Sequence, residues 1–467
     1  MISDSSDGGE TVESVRKVRV YIEKYMREQN LKLQLFSDIT GINVGTLSAI
    51  LKGSRPISMN QLNQITSAMR LEKGYFYESY GVESFIESAP HWRRLEPYLY
   101  ECAELGKLDC IQQVITHVTD DRSYIEQLFE VAEDFFAKGL KEAALILYEC
   151  VADSEKYQHS ERLALCQYRI FLLHKTLNKF GNLNAAVKIE PYIDKLNEEV
   201  QLDAIKDLAN IYASISLWDK VSELAQELER RVNFQIKFQN KKHKIKRRKS
   251  FYPLFVYKAY ANLLQANVSE ERKQYVQALK HIDIYENIVD EIKDPSKEEQ
   301  DLIKLLKGWA KGNRYLYTLF LGDFEVLDVY LDYLDANPKE ILTAFVYIVK
   351  CANQYSYNIN YALDRFHNYL DKNRLDNYVL RTNNLHDLNF SYTRLFYELA
   401  KYRLNQNQIG QGIEHLITSF ERSVSSNDDM MCIKCIDLYG KYRDRASKTQ
   451  EEQYTKLIDK LSVLTFR

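Results

Sequence analysis

Residues 122–152 read "RSYIEQLFEVAEDFFAKGLKEAALILYECVA", and their pattern is the strongest indication of the fold. Apolar residues recur at helical spacing on both sides of Gly139, which predicts two helices joined by a tight turn. Small residues at Ala132 and Ala144 let the two helices touch, and Phe135 is placed to fill the gap between this pair and the next. Since such a pair buries its apolar face only by stacking on a neighbour, the stretch predicts an array of helix pairs.

The same order of residue types recurs along the chain. In the first copy it is carried by Val131, Ala132, Phe135, Gly139, Ala144, Tyr148 and Val151. In a second copy it is carried by Leu208, Ala209, Tyr212, Trp218 and Ala225. This order is the tetratricopeptide pattern, which repeats about every 34 residues. Weaker copies lie at 312–334, 346–370 and 395–420, and about eight or nine helix pairs from Arg93 onward predict a curved α-solenoid.

The composition also favours helices. Among 467 residues there are only 16 glycines and 7 prolines, and charged and apolar residues alternate throughout. A chain poor in turn formers favours long helices over turn-rich sheets. We therefore predict an all-α protein of about two to three domains.

A different pattern occupies residues 33–51, "LQLFSDITGINVGTLSAIL". If Leu33 opens a helix-turn-helix, a small residue is required where the two helices cross, and Ser37 stands there. A residue that tolerates a left-handed turn is required four positions later, and it is Gly41. The apolar residues that would seat the second helix are Ile42, Leu47 and Ile50. The stretch therefore predicts a DNA-binding helix-turn-helix, with a purely structural bundle as the alternative.

The second of these helices would lie in the major groove. The candidate DNA-binding residues are Asn43, Val44, Gly45, Thr46, Ser48, Lys52 and Arg55. Lys52 and Arg55 would face the phosphate backbone, and the others would face base edges. No arginine or glutamine stands at the start of this helix, where it could bind a purine edge through two hydrogen bonds. We therefore expect one helix-turn-helix domain, or head, to bind DNA with modest affinity, and the protein to bind operator DNA as a homodimer.

The domain organisation follows from these two patterns. We expect a disordered lead-in at 1–14, a helix-turn-helix domain of the XRE/Cro type at 15–82, a linker at 83–92 and the TPR-like repeat domain at 93–467. At the C-terminal end, Leu457, Ile458, Leu461 and Leu464 form one apolar stripe. That stripe either caps the solenoid or packs against a second subunit, and it is the candidate dimerisation surface.

The inner face of the solenoid is the candidate ligand site. Repeat positions predict that Asp203, Lys206 and Asn210 line it. Further polar and aromatic candidates are Asn262, Asn313, Arg314, Tyr317, Asn353, Gln354 and Tyr357. Asparagine amides can pair with a peptide's N–H and C=O together, which suits an extended peptide. The alternative for each residue is an ordinary solvent-facing polar group or a core tyrosine.

Other functions find little support in the sequence. It contains no Gly-rich phosphate loop, HExxH or GxSxG motif, and its nine histidines are dispersed, so we predict no catalytic residues, cofactor or metal. Cys432 and Cys435 form a lone CxxC, which is a weak indication of zinc. Residues 241–249 hold seven lysines and arginines, which predict either a phosphate-binding element or a solvated loop.

Location is also predicted from composition. No apolar stretch approaches the roughly 18 to 20 residues of a membrane helix, and the polar N-terminus has no secretory apolar segment. The seven cysteines are odd in number and lie in apolar helical pattern, as reduced thiols do. We expect a soluble cytoplasmic protein that has no membrane partner.

The helix-turn-helix at 33–51 and the repeats at 122–152 and 201–228 together resemble the RRNPP group, the peptide-sensing transcription regulators of Gram-positive bacteria. The resemblance implies a dimeric quorum-sensing regulator whose solenoid binds a short, re-imported signalling peptide. Whether the peptide promotes or releases DNA binding stays open. Two alternatives also remain: a solenoid that docks a response regulator, as Rap-type relatives do, and a mobile-element repressor whose solenoid is only a dimerisation scaffold.

Overall fold

The computed structural model describes residues 18–119, 122–158, 160–174, 179–239, 251–370, 385–426 and 428–465. Within these ranges the regular elements are helices and no strand occurs, which confirms the all-α prediction. The predicted lead-in at 1–14 and the basic segment at 241–249 lie outside the described residues. The chain divides into two compact units, residues 1–204 and 205–467, and each is described by itself.

The first unit begins with short helices and continues with longer antiparallel pairs. Its α-helices are α1 (Val18–Glu28), α2 (Leu33–Thr40), α3 (Val44–Leu51), α4 (Met59–Ala68), α5 (Tyr77–Gly81), α6 (Trp92–Glu104), α7 (Leu108–Val118), α8 (Ile125–Ala137), α9 (Lys141–Glu155), α10 (Glu161–Leu173) and α11 (Lys179–Ile189). Helix α12 (Glu198–Ser214) contains the boundary between the two units. Local signals fix several ends: Ser58 and Gln61, for example, form a reciprocal capping box at the start of α4.

Helices α8 and α9 are the pair predicted from residues 122–152. Ala132, Phe135, Ala144 and Tyr148 are all fully buried, as close packing of the two helices requires. The turn between them falls at Gly139, which has a positive φ. The residues that the pattern assigned to the interior are therefore inside, although a tetratricopeptide arrangement of the whole chain stays a prediction.

The segment predicted as a linker, 83–92, is buried at Ser84 and Phe85 and exposed at residues 87–89 and 91. A π-helix, Val82–Ile86, follows α5 directly. The Phe85 ring is buried and lies with its centroid 5.7 Å from that of Tyr80 and 5.2 Å from that of Tyr98. One apolar cluster includes residues from both sides of the segment, from Val18 to Cys166. The position of the domain boundary stays a prediction, but the residues on its two sides share a core.

The second unit also consists of antiparallel helices. They are α13 (Trp218–Gln239), α14 (Leu254–Glu271), α15 (Tyr275–Asp290), α16 (Lys297–Phe320), α17 (Leu327–Ala336), α18 (Ile341–Tyr355), α19 (Asn360–Arg365), α20 (His367–Leu370), α21 (Leu385–Asn405), α22 (Ile409–Ser425), α23 (Asp429–Tyr442) and α24 (Lys448–Thr465). A large apolar cluster extends from Phe255 to Tyr402, and a smaller one from Ala400 to Tyr439 closes the C-terminal end.

Helix α24 packs on that smaller cluster. The Tyr454 ring stacks on Tyr439 with centroids 3.7 Å apart and planes inclined by 6°. Leu457, Ile458 and Leu461 are partly buried against the same cluster. The side chain of Leu464 lies outside the described residues. These contacts are those of a cap on the chain's own core, and a dimerisation role for the stripe stays a prediction.

Candidate nucleic-acid interface and ligand groove

Helices α2 and α3 are joined by a three-residue turn whose geometry follows from its sequence. Gly41 has φ +70°, in the left-handed region that glycine enters without strain, and its N–H donates to the Ser37 carbonyl to end α2. The buried Ser37 hydroxyl donates to the Ile42 carbonyl at 2.5 Å across the crossing point. Leu47 and Ile50 are fully buried and hold α3 against the other helices.

The predicted DNA-binding residues lie on the opposite side of α3 and in the turn after it. Gly45, Lys52 and Arg55 are exposed, while Val44, Thr46 and Ser48 are partly exposed. Asn43 is exposed too, but its side-chain oxygen accepts the Gly45 N–H at 2.9 Å and caps α3. In the unbound chain the Asn43 oxygen is therefore engaged at the helix start, and its amide nitrogen is the group left for a base.

The sequence segment that contains α3 and α4 carries charge of one sign. Between Asp38 and Glu72 the sequence contains no aspartate or glutamate, and its three charged residues are Lys52, Arg55 and Arg70. All three are exposed. The chain as a whole carries a net charge of −3, so this segment is cationic within a slightly acidic protein.

Glu101 connects α6 to α4 and to the start of α5. Its carboxylate accepts from Asn63 of α4 at 3.2 Å and from the Tyr77 hydroxyl at 2.9 Å. Lys73 pairs with the same carboxylate at 2.6 Å, and this contact raises the pKa of Lys73. Burial beside Glu101 raises the pKa of the Tyr77 hydroxyl, which stays a hydrogen-bond donor at any ordinary pH. The helices that carry the candidate interface are thus anchored to α6.

Several residues predicted for the peptide groove instead join neighbouring helices of the second unit. Asn210 accepts from the Tyr260 hydroxyl at 2.7 Å. The Asn262 side chain is buried, and its oxygen lies 3.1 Å from His281 Nδ1. Both amides therefore connect one helix to the next, so neither stands free in a groove in the unbound chain.

Arg314 and Asn353 show the same behaviour. Arg314 pairs with Asp283 at 2.8 Å and with Glu286, both on α15. Asn353 donates through Nδ2 to the Glu398 carboxylate of α21 at 2.8 Å. The other predicted residues are distributed as follows: Asp203 and Asn313 are partly buried, Lys206 pairs with Asp207 at 3.0 Å, Tyr317 is fully buried, and Gln354 and Tyr357 are exposed.

Around Tyr317 lies a charged cluster that sequence reasoning missed. Burial, followed by the charge of the nearby Glu270 carboxyl, raises the pKa of the Tyr317 hydroxyl, and Glu270 is the penultimate residue of α14. Burial raises the pKa of the Glu270 carboxyl to about 7, although Lys350 and Arg394 act in the opposite direction. Lys350 Nζ lies 5.9 Å from the ring centroid of Tyr347. Charged side chains from α14, α18 and α21 therefore meet beside the aromatic rings of Tyr317 and Tyr347.

Nothing in the sequence distinguishes Glu270 from its neighbour Glu271, since both end the same helix. Only the packing of α16 and α18 determines which carboxyl is enclosed, and Glu271 is exposed. Lys350 is exposed, as a single lysine in an apolar helix usually is, so its place beside Tyr347 could not be predicted from the sequence.

The described residues bring together no group of three or more His, Cys, Asp or Glu that could hold a metal ion. Cys432 and Cys435 are both buried, and Cys435 Sγ lies 3.6 Å from the Ser419 hydroxyl oxygen. In the parts of the chain that the structure covers, no helix has both the length and the apolarity to cross a bilayer.

Comparisons with protein-family models, with curated proteins and with solved structures found no match to this chain.

Proposed function

We propose that this protein is a DNA-binding transcription regulator that is switched by a short signalling peptide. The observation that carries the proposal is the crossing of α2 and α3 at Ser37 and Gly41, together with the exposed Lys52 and Arg55 that follow α3. A helix that presents small and polar side chains, with lysine and arginine at its end, fits the major groove between two phosphate backbones.

In this proposal α3 lies in the major groove of double-stranded operator DNA. Lys52 and Arg55 neutralise phosphates, while Thr46, Ser48 and the Val44 methyl groups touch base edges. Since these side chains make few directional contacts, one head binds modestly, and a homodimer on a two-fold operator supplies the remaining affinity. The anchoring of α4 to α6 through Glu101 supports a head that moves together with the helices behind it.

The ligand groove is proposed in the second unit, beside Glu270 and Lys350. A peptide presents both charges and backbone amides, and this cluster offers a carboxyl, an ammonium group and exposed polar side chains such as Gln354. Bound peptide would change DNA affinity only to the extent that it binds one conformation of the protein more tightly than the other. The interhelix bonds of Asn210, Arg314 and Asn353 are candidates for the contacts that distinguish those conformations.

The DNA proposal is tested by selection of bound duplexes from a random pool, followed by fluorescence anisotropy as a function of salt. Lys52→Ala with Arg55→Ala should weaken binding about tenfold or more and reduce the salt slope by about 2, because two phosphate contacts are lost. Lys280→Ala with Lys304→Ala, both exposed in the second unit, is the matched control for net charge. No enrichment of any duplex, or equal loss in both double variants, would contradict the proposal.

The peptide proposal is tested by the shift in melting temperature with synthetic peptides encoded by short reading frames beside the gene. A stabilising peptide should also change DNA affinity, and Glu270→Gln or Lys350→Ala should weaken its binding. Co-purification with a response regulator would favour the docking alternative. A dimer that binds DNA and responds to no peptide would favour the scaffold alternative.

A further inference from the structure

A second surface of the second unit combines exposed aromatic rings with carboxylates. It lies where the turn after α16 meets the turn after α18, and we call it the tyrosine patch. The patch consists of Phe324, Tyr355, Tyr357 and Tyr361 with the carboxylates of Asp323, Glu325 and Asp328. Tyr355 is 42% exposed, Tyr357 39% and Tyr361 46%, which is unusual for three aromatic side chains in one place.

Ring stacking and hydrogen bonds hold the aromatic side chains of the patch in place. Tyr357 stacks on Phe324 with centroids 4.0 Å apart and planes inclined by 10°. The Tyr355 hydroxyl donates to the Phe320 carbonyl at 2.7 Å, and its ring covers Gly322 so closely that a Cβ there would lie 3.0 Å from it. The Tyr361 hydroxyl donates to Asp328 at 2.9 Å. Each ring is therefore held in one orientation with one face or edge left to solvent.

The charge of the patch has one sign. Asp323, Glu325 and Asp328 are all exposed. Arg365, one helical turn beyond Tyr361 in α19, is already bound by Asp332 at 2.6 Å and by Asp335. Fixed tyrosine faces attract cations through their π-electrons, and adjacent carboxylates add Coulombic attraction and hydrogen-bond acceptors. An anionic or purely apolar partner would gain from the rings but not from the carboxylates.

We propose that the tyrosine patch binds a lysine- and arginine-rich segment of a protein. The stems of such side chains cover the rings, and their charged ends reach Asp323, Glu325 and Asp328. Tyrosine is also the residue that interfaces of this kind favour, because it supplies large contact area with little loss of side-chain entropy. The proposal does not depend on DNA binding, since none of these residues belongs to the first unit.

The test uses the full chain and a fluorescein-labelled peptide with the sequence of residues 241–249, KKHKIKRRK, as a basic probe. The probe should bind and its affinity should fall as salt is raised, while a peptide with glutamine at each lysine and arginine should not bind. Asp323→Asn with Asp328→Asn keeps the hydrogen-bond acceptors and should weaken binding about tenfold. Glu298→Gln with Asp301→Asn on α16 removes the same charge elsewhere and should leave the affinity unchanged.

The aromatic contribution is measured separately with Tyr357→Leu, which keeps Phe324 covered and should weaken binding of the probe severalfold.

The titration is repeated on a chain in which the lysines and arginines of residues 241–249 are replaced by glutamine. Tighter binding there identifies the chain's own basic segment as an occupant, and equal binding assigns the patch to another protein. Unchanged affinity in the Asp323/Asp328 variant, or equal affinity for the glutamine peptide, would overturn the proposal. Melting curves check that the Asp323/Asp328 and Tyr357→Leu variants are folded.

Discussion

Arg19 donates its Nε–H to the Ile50 carbonyl at 2.8 Å, and this bond joins α1 to the last turn of α3. The same guanidinium pairs with Glu83, whose carboxylate also accepts the Val18 N–H at 3.2 Å. The Ile50 carbonyl also accepts the Gly53 N–H at 3.0 Å, and a cation at a helix C-terminus interacts favourably with the helix dipole. Arg19 thus holds the candidate recognition helix in place.

We expect Arg19→Ala to lower the free energy of unfolding by about 1 to 2 kcal/mol, because a charged hydrogen bond and an ion pair are lost at a partly buried site. DNA affinity should fall because α3 is less firmly placed, while the slope of affinity against salt should stay unchanged. Urea unfolding and DNA titrations at several salt concentrations measure the two effects. Lys24→Ala on the exposed side of α1 is the control, and a reduced salt slope in Arg19→Ala would show a phosphate contact instead.

The turn between α2 and α3 gives a second prediction. Gly41 has φ +70° and no heavy atom within 4 Å of an added Cβ, so Gly41→Ala changes strain and not packing. We expect it to cost about 1 to 2 kcal/mol of stability. Gly440 also has open space but lies inside α23, where alanine is the better helix former.

Gly440→Ala should therefore stabilise the protein by up to about 1 kcal/mol, the opposite sign for the same chemical change. Melting temperature and urea midpoint report both variants. Equal effects at the two positions would mean that the left-handed conformation of Gly41 is not required by the turn.

The steric demands on the first helices could be read from the sequence because each is local. A small residue at 37, a glycine at 41 and apolar residues at 47 and 50 lie within a few turns of one another, and the structure buries or bends each as expected. The interior positions of α8 and α9, such as Ala132, were predictable for the same reason.

The groove could not be read in the same way. Helical periodicity places Asn210 and Arg314 on a polar face, but it does not say whether that face meets water or the next helix. The answer depends on how successive pairs pack, which is set by residues tens of positions away, such as Tyr260 and Asp283. Burial of Glu270 is likewise a property of three other helices and left no trace in its own.

Glu270 should make stability depend on pH. Its carboxyl has a pKa of about 7 in the folded chain and 4.5 as the ordinary value, so the folded state retains a proton that the unfolded state releases. The free energy of unfolding should therefore fall as pH rises from about 4.5 to 7 and then level off, by about 1 to 3 kcal/mol from this group.

Glu270→Gln should abolish that fall and be more stable than the unmodified protein at pH 8, with little difference at pH 4.5. Urea unfolding across this pH range measures it. Glu271→Gln removes a neighbouring exposed charge and is the control. If both variants change the profile equally, the effect arises from net charge and not from the enclosed carboxyl.

The last helix allows capping to be separated from dimerisation. Leu457 is partly buried beside the cluster that contains Tyr439, and the Tyr454 ring stacks on the Tyr439 ring. If α24 caps the chain's own core, Leu457→Ala should lower the melting temperature and cost about 1 to 2 kcal/mol, with no change in molar mass by light scattering. If the stripe joins two subunits, the same substitution should convert dimer to monomer at low concentration and make the melting temperature depend on concentration. Lys456→Ala, on the exposed side of α24, should change neither. Since Leu457, Ile458 and Leu461 already contact the core of their own chain, we expect the first result.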